Sequence, residues 1–456
     1  MKLRWLLLAA LLAACAEGPY RPDVVILSID SLSREALPGY GGEGANAPTL
    51  ERLASRSLRF ANAYSTASWT LPAHASLLTG LYPDRHGATD PRVLLAAELP
   101  RLAPQLREAG YSTVAFTDGA YLDWRYGFGP GFERYDDFVA PTAPAIEVPR
   151  GGLPHEEKGT TLFDRAIAYL ESRAADEPPL FLFLHTYSVH DYFRLHAWAT
   201  ARAPGAELRE TSGYLRCLLG LEACSDRDWE VLRTLYAAEV AHLDRGVARL
   251  LDVLERTGRA DGTLLIFLSD HGESFDRARG RLHHGGRLHQ DQLRIPLFMH
   301  GPGIAPGEID APISLVDLMP TLLDLLGLPI PEGLDGRSLV PAIRREAELA
   351  AVPLYAMEHY HLWYEGVRKN SPEVQPSPLS VAVIQGRNWY IRAPFSEELY
   401  DMEADPEQDA NLSADERRVA GLRELSAARR QLAVQREPSE QDPELLEQLR
   451  ALGYVE

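Results

Sequence analysis

The chain has 456 residues, of which 45% are hydrophobic and 24% are charged. These values are typical of a globular protein and exclude a disordered, collagen-like or coiled-coil chain. The 46 Lys and Arg residues are outnumbered by 65 Asp and Glu residues, so the formal net charge is −19. We therefore expect no nucleic-acid partner, because such partners bind to basic surfaces.

The N-terminal segment has the pattern of an export signal. Lys2 and Arg4 precede an apolar run that is too short to cross a bilayer and that ends in Leu12-Ala13-Ala14-Cys15. A basic start, a short apolar run and small residues before the cleavage site predict a signal peptide over residues 1–14. A tether over residues 15–22 is expected to lead into the folded part.

The cysteine at the end of this signal resembles that of the bacterial lipobox. In lipoproteins the thiol at this position is acylated, which implies lipidation of Cys15. Because Ala16 rather than Asp follows, the resemblance implies an exported protein anchored at the periplasmic face of the outer membrane. The alternative is an ordinary secretory signal in which Cys15 is incidental.

Two further cysteines, Cys217 and Cys224, lie close together in the stretch RCLLGLEAC. An exported protein resides in an oxidising compartment, so we predict a local disulfide between them. The alternative is a pair of reduced thiols on helical turns. Their spacing is not one that indicates a cysteine-bound metal.

Short apolar runs alternate along the chain with segments of helical periodicity. This alternation predicts an α/β fold in which a large, mostly parallel central sheet is flanked by helices. The continuous apolar runs indicate strands that are buried on both faces. The predicted strands cover residues 23–29, 112–117, 180–185, 263–268 and 295–299, and the clearest helices cover residues 158–173, 229–257 and 315–327.

The character of the sequence changes near residue 350. Residues 380–393 predict a β-hairpin with its turn at Gly386-Arg387-Asn388, and a charged helix follows over about 414–434. Stretches rich in Pro, Gly and Ala predict surface loops over 141–157 and 201–213. We therefore predict a main domain over residues 23–345, a smaller α+β C-terminal subdomain with antiparallel strands over 350–435, and a helical tail over 436–456.

Polar residues directly follow two of the predicted strands. Asp30 follows the first strand, and Asp270-His271 follows the strand TLLIFLS. In parallel sheets, functional groups gather beyond the carboxyl ends of the strands. Carboxylates with an imidazole suit zinc or manganese better than calcium, which prefers oxygen ligands. The structural alternatives are a helix N-cap for Asp30 and an ion-paired turn for Asp270-His271.

Thr70 lies near the predicted start of a helix, in SWTLPAHASLLTGLYPDRHG over residues 68–87. The N–H groups at a helix N-terminus favour an anion, and a threonine there can act as an N-cap or as a nucleophile. Its hydroxyl is a poor nucleophile unless a base or a metal lowers its pKa.

Taken together, these motifs resemble the sulfatase-like branch of the alkaline phosphatase superfamily. The resemblance covers residues 22–413 and rests on several motifs in the family's order. It implies the α/β fold predicted above, an ester hydrolase activity and a divalent metal ion. The main motifs are PDVVILSIDSL, TLPAHASLLTGLYPDRHG, FLFLHTYSVHDYF, TLLIFLSDHGESF and HHGGRLHQDQLRIPLFMHGPG.

The resemblance also implies roles for individual residues. Asp30, Asp270 and His271 match metal ligands, and Thr70 occupies the nucleophile position. His74 replaces the Arg that formylglycine sulfatases have four residues after the nucleophile.

Four more histidines of interest lie in the matching stretches. His190 matches a histidine that contacts the anionic group of the substrate. His284 lies where the family has a His or Lys near the transferred group, and the adjacent His283 is the alternative match. We predict that His185 is structural, because it ends the strand 180–185.

Three departures from the family pattern bear on the reaction. Sulfatases oxidise a Cys or Ser at the nucleophile position to formylglycine, an aldehyde that cannot be made from Thr70. Ser31 replaces the second Asp of the usual pair, and TDGAYL replaces a Lys-x-His stretch. A Thr nucleophile instead resembles nucleotide phosphodiesterases, phosphoethanolamine transferases and lipoteichoic acid synthases.

The sequence therefore predicts a metal-dependent hydrolase, or transferase, of phosphate or sulfate esters, with a phosphoester favoured and no formylglycine. The expected cofactor is one divalent cation (Zn, Mn, Mg or Ca), with room for a second, and the expected substrate is a small-molecule, lipid or glycan ester. Thr70 attacks, while His74, His190 and His284 hold the non-bridging oxygens. The alternatives are a sulfatase that works without formylglycine and an inactive, lipid-anchored binding protein.

Overall fold

The computed structural model describes most of the predicted main domain and C-terminal subdomain. The signal peptide, the lipid site at Cys15 and most of the predicted tail lie outside the described residues, as do most of the two predicted loops. No helix within the described part of the chain is long and apolar enough to cross a bilayer. The described residues are 21–42, 45–137, 155–203, 217–218, 223–359 and 379–434, with the single positions 213, 436 and 443.

The strands form one large central sheet, one sheet of the C-terminal subdomain and two small sheets. In chain order they are β1 Asp23–Ile29, β2 Leu58–Phe60, β3 Ala63–Tyr64, β4 Ser112–Thr117, β5 Arg134–Asp136, β6 Leu180–Thr186, β7 Thr263–Ser269, β8 Ser274–Asp276, β9 Arg281–His283, β10 Arg294–Ile295, β11 Leu297–His300, β12 Gly307–Ile309, β13 Ile313–Ser314, β14 Leu354–His359, β15 Leu379–Gln385, β16 Asn388–Arg392 and β17 Glu397–Asp401.

The helices lie between these strands and cover both faces of the central sheet. They are α1 Pro48–Ser55, α2 Thr70–Thr79, α3 Pro83–His86, α4 Leu102–Glu108, α5 His155–Ser172, α6 Ala197–Thr200, α7 Asp226–Arg256, α8 Gln290–Leu293, α9 Leu318–Leu325, α10 Val340–Ile343 and α11 Glu416–Leu432.

The central sheet has the strand order β12-β2-β11-β7-β1-β6-β4-β5. The strand β1 lies at its middle and pairs in parallel with β6 and β7, whereas β11 runs antiparallel to both of its neighbours. Val25 and Leu27 pack against α5 and α7 on one face, and Val24 and Ile26 pack with α2 on the other. This architecture confirms the predicted fold class.

The register of the three middle strands determines where the polar residues come together. Ile29 at the end of β1 is level with Thr186 of β6 and with Ser269 of β7. The residues that follow these strands, Asp30 and Asp270 among them, therefore lie at the same edge of the sheet.

Two element boundaries differ from the sequence prediction for local reasons. The predicted strand 295–299 is divided at Pro296, which has no N–H to donate, so β10 pairs with β3 and β11 joins the central sheet. The helix α7 begins three residues earlier than predicted, at Asp226. There the side chain of Ser225 accepts from Asp228 N and that of Asp228 accepts from Ser225 N, which forms a capping box.

The C-terminal subdomain consists of the antiparallel sheet β14-β15-β16-β17 and the helix α11, as predicted. The hairpin between β15 and β16 turns at Gly386, whose φ of 58° is a left-handed conformation that suits glycine. In a separate region of the described chain, Cys217 and Cys224 form a disulfide with their Cα atoms 5.3 Å apart.

Arg429 of α11 joins the C-terminal subdomain to the main domain. Its guanidinium donates to Asp84 Oδ1 at 2.6 Å and to Asp335 Oδ1 at 3.1 Å. It also lies 4.7 Å from the ring centroid of Tyr82 and 4.9 Å from that of Tyr355. A single, mostly buried cation thus compensates two carboxylates and stacks on two rings.

We expect Arg429→Met to lower the free energy of unfolding by about 3–5 kcal/mol, because Asp84 is left buried without its partner. The control is Arg256→Met, which breaks exposed ion pairs to Asp252 and Glu171 and is expected to cost at most about 1 kcal/mol. Urea unfolding followed by circular dichroism measures both values. Equal losses in the two variants would contradict this account of Arg429.

Candidate active site

Thr70 is the first residue of α2, and its side chain is buried at the carboxyl edge of the central sheet. The preceding residue, Trp69, occupies the N-cap position, so the Thr70 hydroxyl does not cap the helix. Instead, Thr70 Oγ1 donates a hydrogen bond to Asp30 Oδ2 at 2.8 Å. The hydroxyl therefore lies where a helix N-terminus and a carboxylate meet.

The carboxylates of Asp30 and Asp270 are both fully buried at this edge. Asp270 Oδ1 accepts from His271 N at 2.9 Å and from Ser31 N at 3.3 Å. Ser31, which replaces a family Asp, has a left-handed φ of 56° and donates its hydroxyl to Asp30 Oδ1. The turn after β1 thus links the two carboxylates through one residue.

Histidines are the ion-pair partners of both carboxylates in the described part of the chain, and none of these partners is Lys or Arg. Burial and the charge of Asp30 raise the pKa of Asp270 well above its usual range. Burial would also raise the pKa of Asp30, but the His185 imidazole 3.7 Å away and the charges of His190 and His271 outweigh it and lower that pKa. Without added positive charge, only one of the two carboxylates ionises readily.

His271 has the tautomer that a metal ligand needs. Its Nδ1 donates to the carbonyl oxygen of Gly272 at 3.1 Å, which leaves the Nε2 lone pair directed at the carboxylates. This Nε2 lies 3.5 Å from Asp270 Oδ2 and 3.9 Å from Asp30 Oδ1. Both Nε2 and Asp270 Oδ2 are buried and have no hydrogen-bond partner in the described part of the protein. These atoms fit a divalent cation with oxygen and nitrogen ligands.

Further histidines surround these ligands. Each of three groups has ligand atoms that lie within 4.8 Å of one another, and the predicted ligands Asp30, Asp270 and His271 are divided between two of them. The groups are Asp30, His271 and His284; His74, His185 and Asp270; and His190, His283 and His284.

His74 lies beneath the nucleophile and is completely buried. Its Nδ1 donates to the carbonyl oxygen of Thr70 at 2.9 Å, and its Nε2 accepts from Ser28 Oγ at 2.9 Å. Burial, assisted by His185, lowers its pKa well below the usual value, so the ring is neutral. In these contacts His74 supports the first turn of α2.

His190 and His284 are each held by a carboxylate. His190 Nδ1 donates to Asp191 Oδ1 at 2.6 Å, and His284 Nδ1 lies 2.9 Å from Glu273 Oε2. Burial would lower the pKa of His190, but the hydrogen bond to Asp191 and the charge of Asp30 outweigh it and raise the pKa. Burial and the neighbouring His283 lower the pKa of His284. His190 therefore binds a proton more readily than His284 does.

Two residues at the carboxyl end of β6 lie in the site, although the sequence predicted no catalytic role for either. His185, predicted to be structural, has its Nε2 3.7 Å from Asp30 Oδ2. The ring of Tyr187 lies edge-on to those of His185 and His190. Their position where a central strand ends is the signal that could have identified them.

The comparisons with known proteins agree with this fold and site. A family model described as sulfatase matches residues 22–328, and a model of the C-terminal part of N-sulphoglucosamine sulphohydrolase matches residues 283–435. The chain therefore belongs to the sulfatase family. It is an ester hydrolase of the alkaline phosphatase superfamily, which confirms the resemblance noted in the sequence.

Individual relatives are similar over most of their length. A choline-sulfatase of Rhizobium meliloti (strain 1021) is 27% identical, and the alignment covers 90% of this chain and 86% of the relative. The multifunctional alkaline phosphatase superfamily protein PehA of Trinickia caryophylli is also 27% identical, and the alignment covers 89% of this chain and 94% of the relative. The phosphonate monoester hydrolase of Agrobacterium radiobacter shares the fold, with a TM-score of 0.70 and 22% sequence identity. The superposition covers 91% of this chain and 96% of the hydrolase.

We expect Asp191→Asn to lower the pKa of His190, because the substitution removes the negative charge that stabilises the imidazolium. An NMR titration of the His190 ring measures this pKa directly. The control is Asp123→Asn, in which the lost charge belongs to a pair with Arg125 and the His190 pKa is expected to stay unchanged. A His190 pKa that is the same in Asp191→Asn and in the wild type would show that another group sets it.

Proposed function

We propose that the protein is a metal-dependent hydrolase, or transferase, of phosphoesters that uses Thr70 as its nucleophile and forms a covalent intermediate. The observation that carries this proposal is the hydrogen bond of 2.8 Å from Thr70 Oγ1 to Asp30 Oδ2, at the edge where the buried carboxylates and imidazoles meet. A buried threonine that served only as a helix cap would direct its hydroxyl at the backbone N–H groups of α2 instead.

Asp30, Asp270 and His271 are the residues that would hold a divalent cation. Asp30 and His271 form one ligand group with His284, and Asp270 Oδ2 lies 3.5 Å from His271 Nε2. A bound cation supplies the positive charge that the two carboxylates lack, lowers the pKa of the Thr70 hydroxyl and offsets charge on the reacting group. Zinc and manganese suit this mixture of oxygen and nitrogen better than calcium does. The group His190, His283 and His284 leaves room for a second ion.

The chain's own residues supply the remaining parts of the reaction. Thr70 Oγ1 attacks phosphorus in line and forms the new P–O bond, while the bond from phosphorus to the leaving alcohol breaks. Asp30 Oδ2 lies where it can accept the hydroxyl proton, and His190, with its raised pKa, is suited to protonate the leaving alcohol. Water, or an acceptor alcohol, then attacks the phosphothreonine and releases Thr70.

The histidines divide into two roles. His190 and His284 are assigned to the non-bridging oxygens, as the sequence predicted. His74 is assigned to the support of Thr70, because both of its ring nitrogens already have partners inside the protein. The sequence had placed His74 at the substrate, and this assignment differs from it.

A phosphoester is favoured over a sulfate ester on chemical grounds. A formylglycine hydrate releases sulfate when the aldehyde re-forms and a carbon–oxygen bond breaks, and Thr70 offers no such exit. A substituted threonine must be cleaved at phosphorus or sulfur, which requires stabilisation of its alkoxide by positive charge. Relatives whose names include a phosphonate monoester hydrolase and a multifunctional superfamily member are consistent with chemistry at phosphorus.

The second candidate is a sulfate-ester hydrolase that works through Thr70 without formylglycine. The match to the sulfatase family model and the similarity to a choline-sulfatase favour it. The third, an inactive binding protein, is disfavoured by the presence of Asp30, Thr70, Asp270 and His271 at one edge of the sheet. For all three we propose export and a lipid on Cys15 that tethers the protein to the periplasmic face of the outer membrane.

We expect Thr70→Ala to lower kcat by about a thousandfold or more, because it removes the atom that forms the covalent bond. The matched control is Thr79→Ala at the other end of α2, where the hydroxyl donates to the carbonyl oxygen of Ala75 and accepts from the backbone N–H of Leu81. Activity is measured on aryl phosphate, aryl phosphodiester and aryl sulfate in parallel. Unchanged turnover by Thr70→Ala would rule out the nucleophile.

A second experiment on the same two proteins distinguishes phosphoryl transfer from sulfuryl transfer. Enzyme quenched during turnover is digested, and the peptide that contains residues 61–85 is examined by mass spectrometry. We expect an adduct of phosphate mass on Thr70 in the wild type and none in Thr70→Ala. An adduct of sulfate mass would establish the second candidate in place of the first.

We expect the purified wild type to contain a divalent cation and Asp270→Asn to bind it at least about tenfold more weakly, because a ligand oxygen and its charge are lost. Metal analysis by mass spectrometry, with and without chelator, gives the identity and number of ions. The control is Asp317→Asn, which alters a buried carboxylate that caps a helix elsewhere. Equal metal content in all three proteins would contradict the assignment.

A further inference from the structure

Glu358 of β14 extends a buried carboxylate from the C-terminal subdomain to the main domain. Its side chain is almost completely buried. One oxygen, Oε2, accepts a hydrogen bond from the Ser68 hydroxyl, and the other, Oε1, accepts one from the backbone N–H of Gly286. A single carboxylate thus connects two loops that are distant in the sequence.

Both loops carry residues of the candidate active site. Ser68 precedes Thr70 by two positions, and the same loop is held again by a hydrogen bond of 2.8 Å from Met357 N to Thr66 O. Gly286 follows His284 by two positions, in a turn where Gly285 and Gly286 have left-handed φ angles of 82° and 73°. Glu358 therefore lies between the loop of the nucleophile and the loop of His284.

The two contacts match a carboxylate at this position, because an ionised carboxyl group accepts at both oxygens. A glutamine offers one acceptor oxygen, so it keeps the contact to Ser68 only if the Ser68 hydroxyl turns to accept from the amide. Burial raises the pKa of Glu358 to about 7, although the hydrogen bonds from Ser68 and Gly286 and the charge of Arg287 act to lower it. A buried carboxylate is costly for a protein to maintain, so its retention here points to a requirement beyond simple packing.

We propose that Glu358 is a positioning residue, which holds the loop of Thr70 and the loop of His284 at a fixed separation across the site. This proposal depends on the proposed function, because it takes Thr70 as the nucleophile and His284 as a group that faces the transferred phosphoryl. The C-terminal subdomain then contributes to catalysis through geometry, without contact with the substrate. A displacement of reacting groups by about 1 Å can cost about a hundredfold in rate.

The test compares Glu358→Gln and Glu358→Ala with the wild type on an aryl phosphodiester. We expect kcat to fall about tenfold in Glu358→Gln, which keeps one acceptor, and about a hundredfold in Glu358→Ala, which keeps none. KM and metal content are expected to change less than about twofold, because the groups that bind substrate and metal are all present. Formation of the Thr70 adduct, followed by quenched flow and mass spectrometry, should slow in the same order.

The matched control is Asp401→Asn, a carboxylate-to-amide change in the same sheet. Asp401 is buried and accepts from Arg387 and Arg418, with no contact to either loop. We expect this variant to lower the melting temperature and to leave kcat unchanged well below that temperature. A purely structural role for Glu358 would make its variants behave like Asp401→Asn.

Ser68→Ala provides a milder variant that removes only the contact to the nucleophile loop. We expect kcat to fall in the same direction as in Glu358→Gln even if Glu358→Ala fails to fold. If kcat and adduct formation stay within about twofold of wild type in Glu358→Gln and Ser68→Ala, the positioning role is wrong. That result, with Thr70→Ala inactive, leaves the proposed function intact, whereas an active Thr70→Ala overturns both.

Discussion

The site depends on two buried carboxylates that have no Lys or Arg partner among the described residues. Asp30 and Asp270 are fully buried, and in the described residues only histidines lie close enough to pair with them. Burial and the charge of Asp30 raise the pKa of Asp270, whereas the neighbouring histidines lower the pKa of Asp30. A protein that keeps such a pair in its interior has to supply positive charge there, and the converging imidazoles with an added cation are the means available. The Thr70 hydroxyl is directed at this same point of excess negative charge.

Strand order explains how residues from distant parts of the chain meet there. The strands β1, β6 and β7 are neighbours and parallel, so the residues after them share one edge of the sheet. The helix α2 packs on one face with its first residue at that edge, and the loop after β9 brings His284 beside it. The C-terminal subdomain closes the arrangement through Glu358 and Arg429, which reach the main domain from β14 and α11. The site is therefore a product of both parts of the molecule.

Much of this could be predicted from the sequence. The strands that form the middle of the sheet are continuous apolar runs, and Asp30 and Asp270-His271 follow them directly. Other features depend on pairings between distant segments that leave no local pattern. Neither the hydrogen bond from Thr70 to Asp30 nor the bonds from Ser68 and Gly286 to Glu358 can be read from spacing. The partners of His74 belong to the same class, since Ser28 lies in β1 and nothing in its motif points to His74.

Membership of the sulfatase family establishes the fold and the class of reaction, ester hydrolysis. It does not establish whether the nucleophile attacks phosphorus or sulfur. Family members share a nucleophile position at the start of one helix, but the group placed there decides how the covalent intermediate can break down. Thr70 has one oxygen and no route to an aldehyde, so under the proposed mechanism the intermediate would be cleaved at the transferred group itself. Cleavage of this kind expels an alkoxide, which a divalent cation held by the acidic and imidazole side chains near Thr70 would stabilise. The residue at position 70 is therefore the ground on which we propose chemistry at phosphorus in a family named for sulfur.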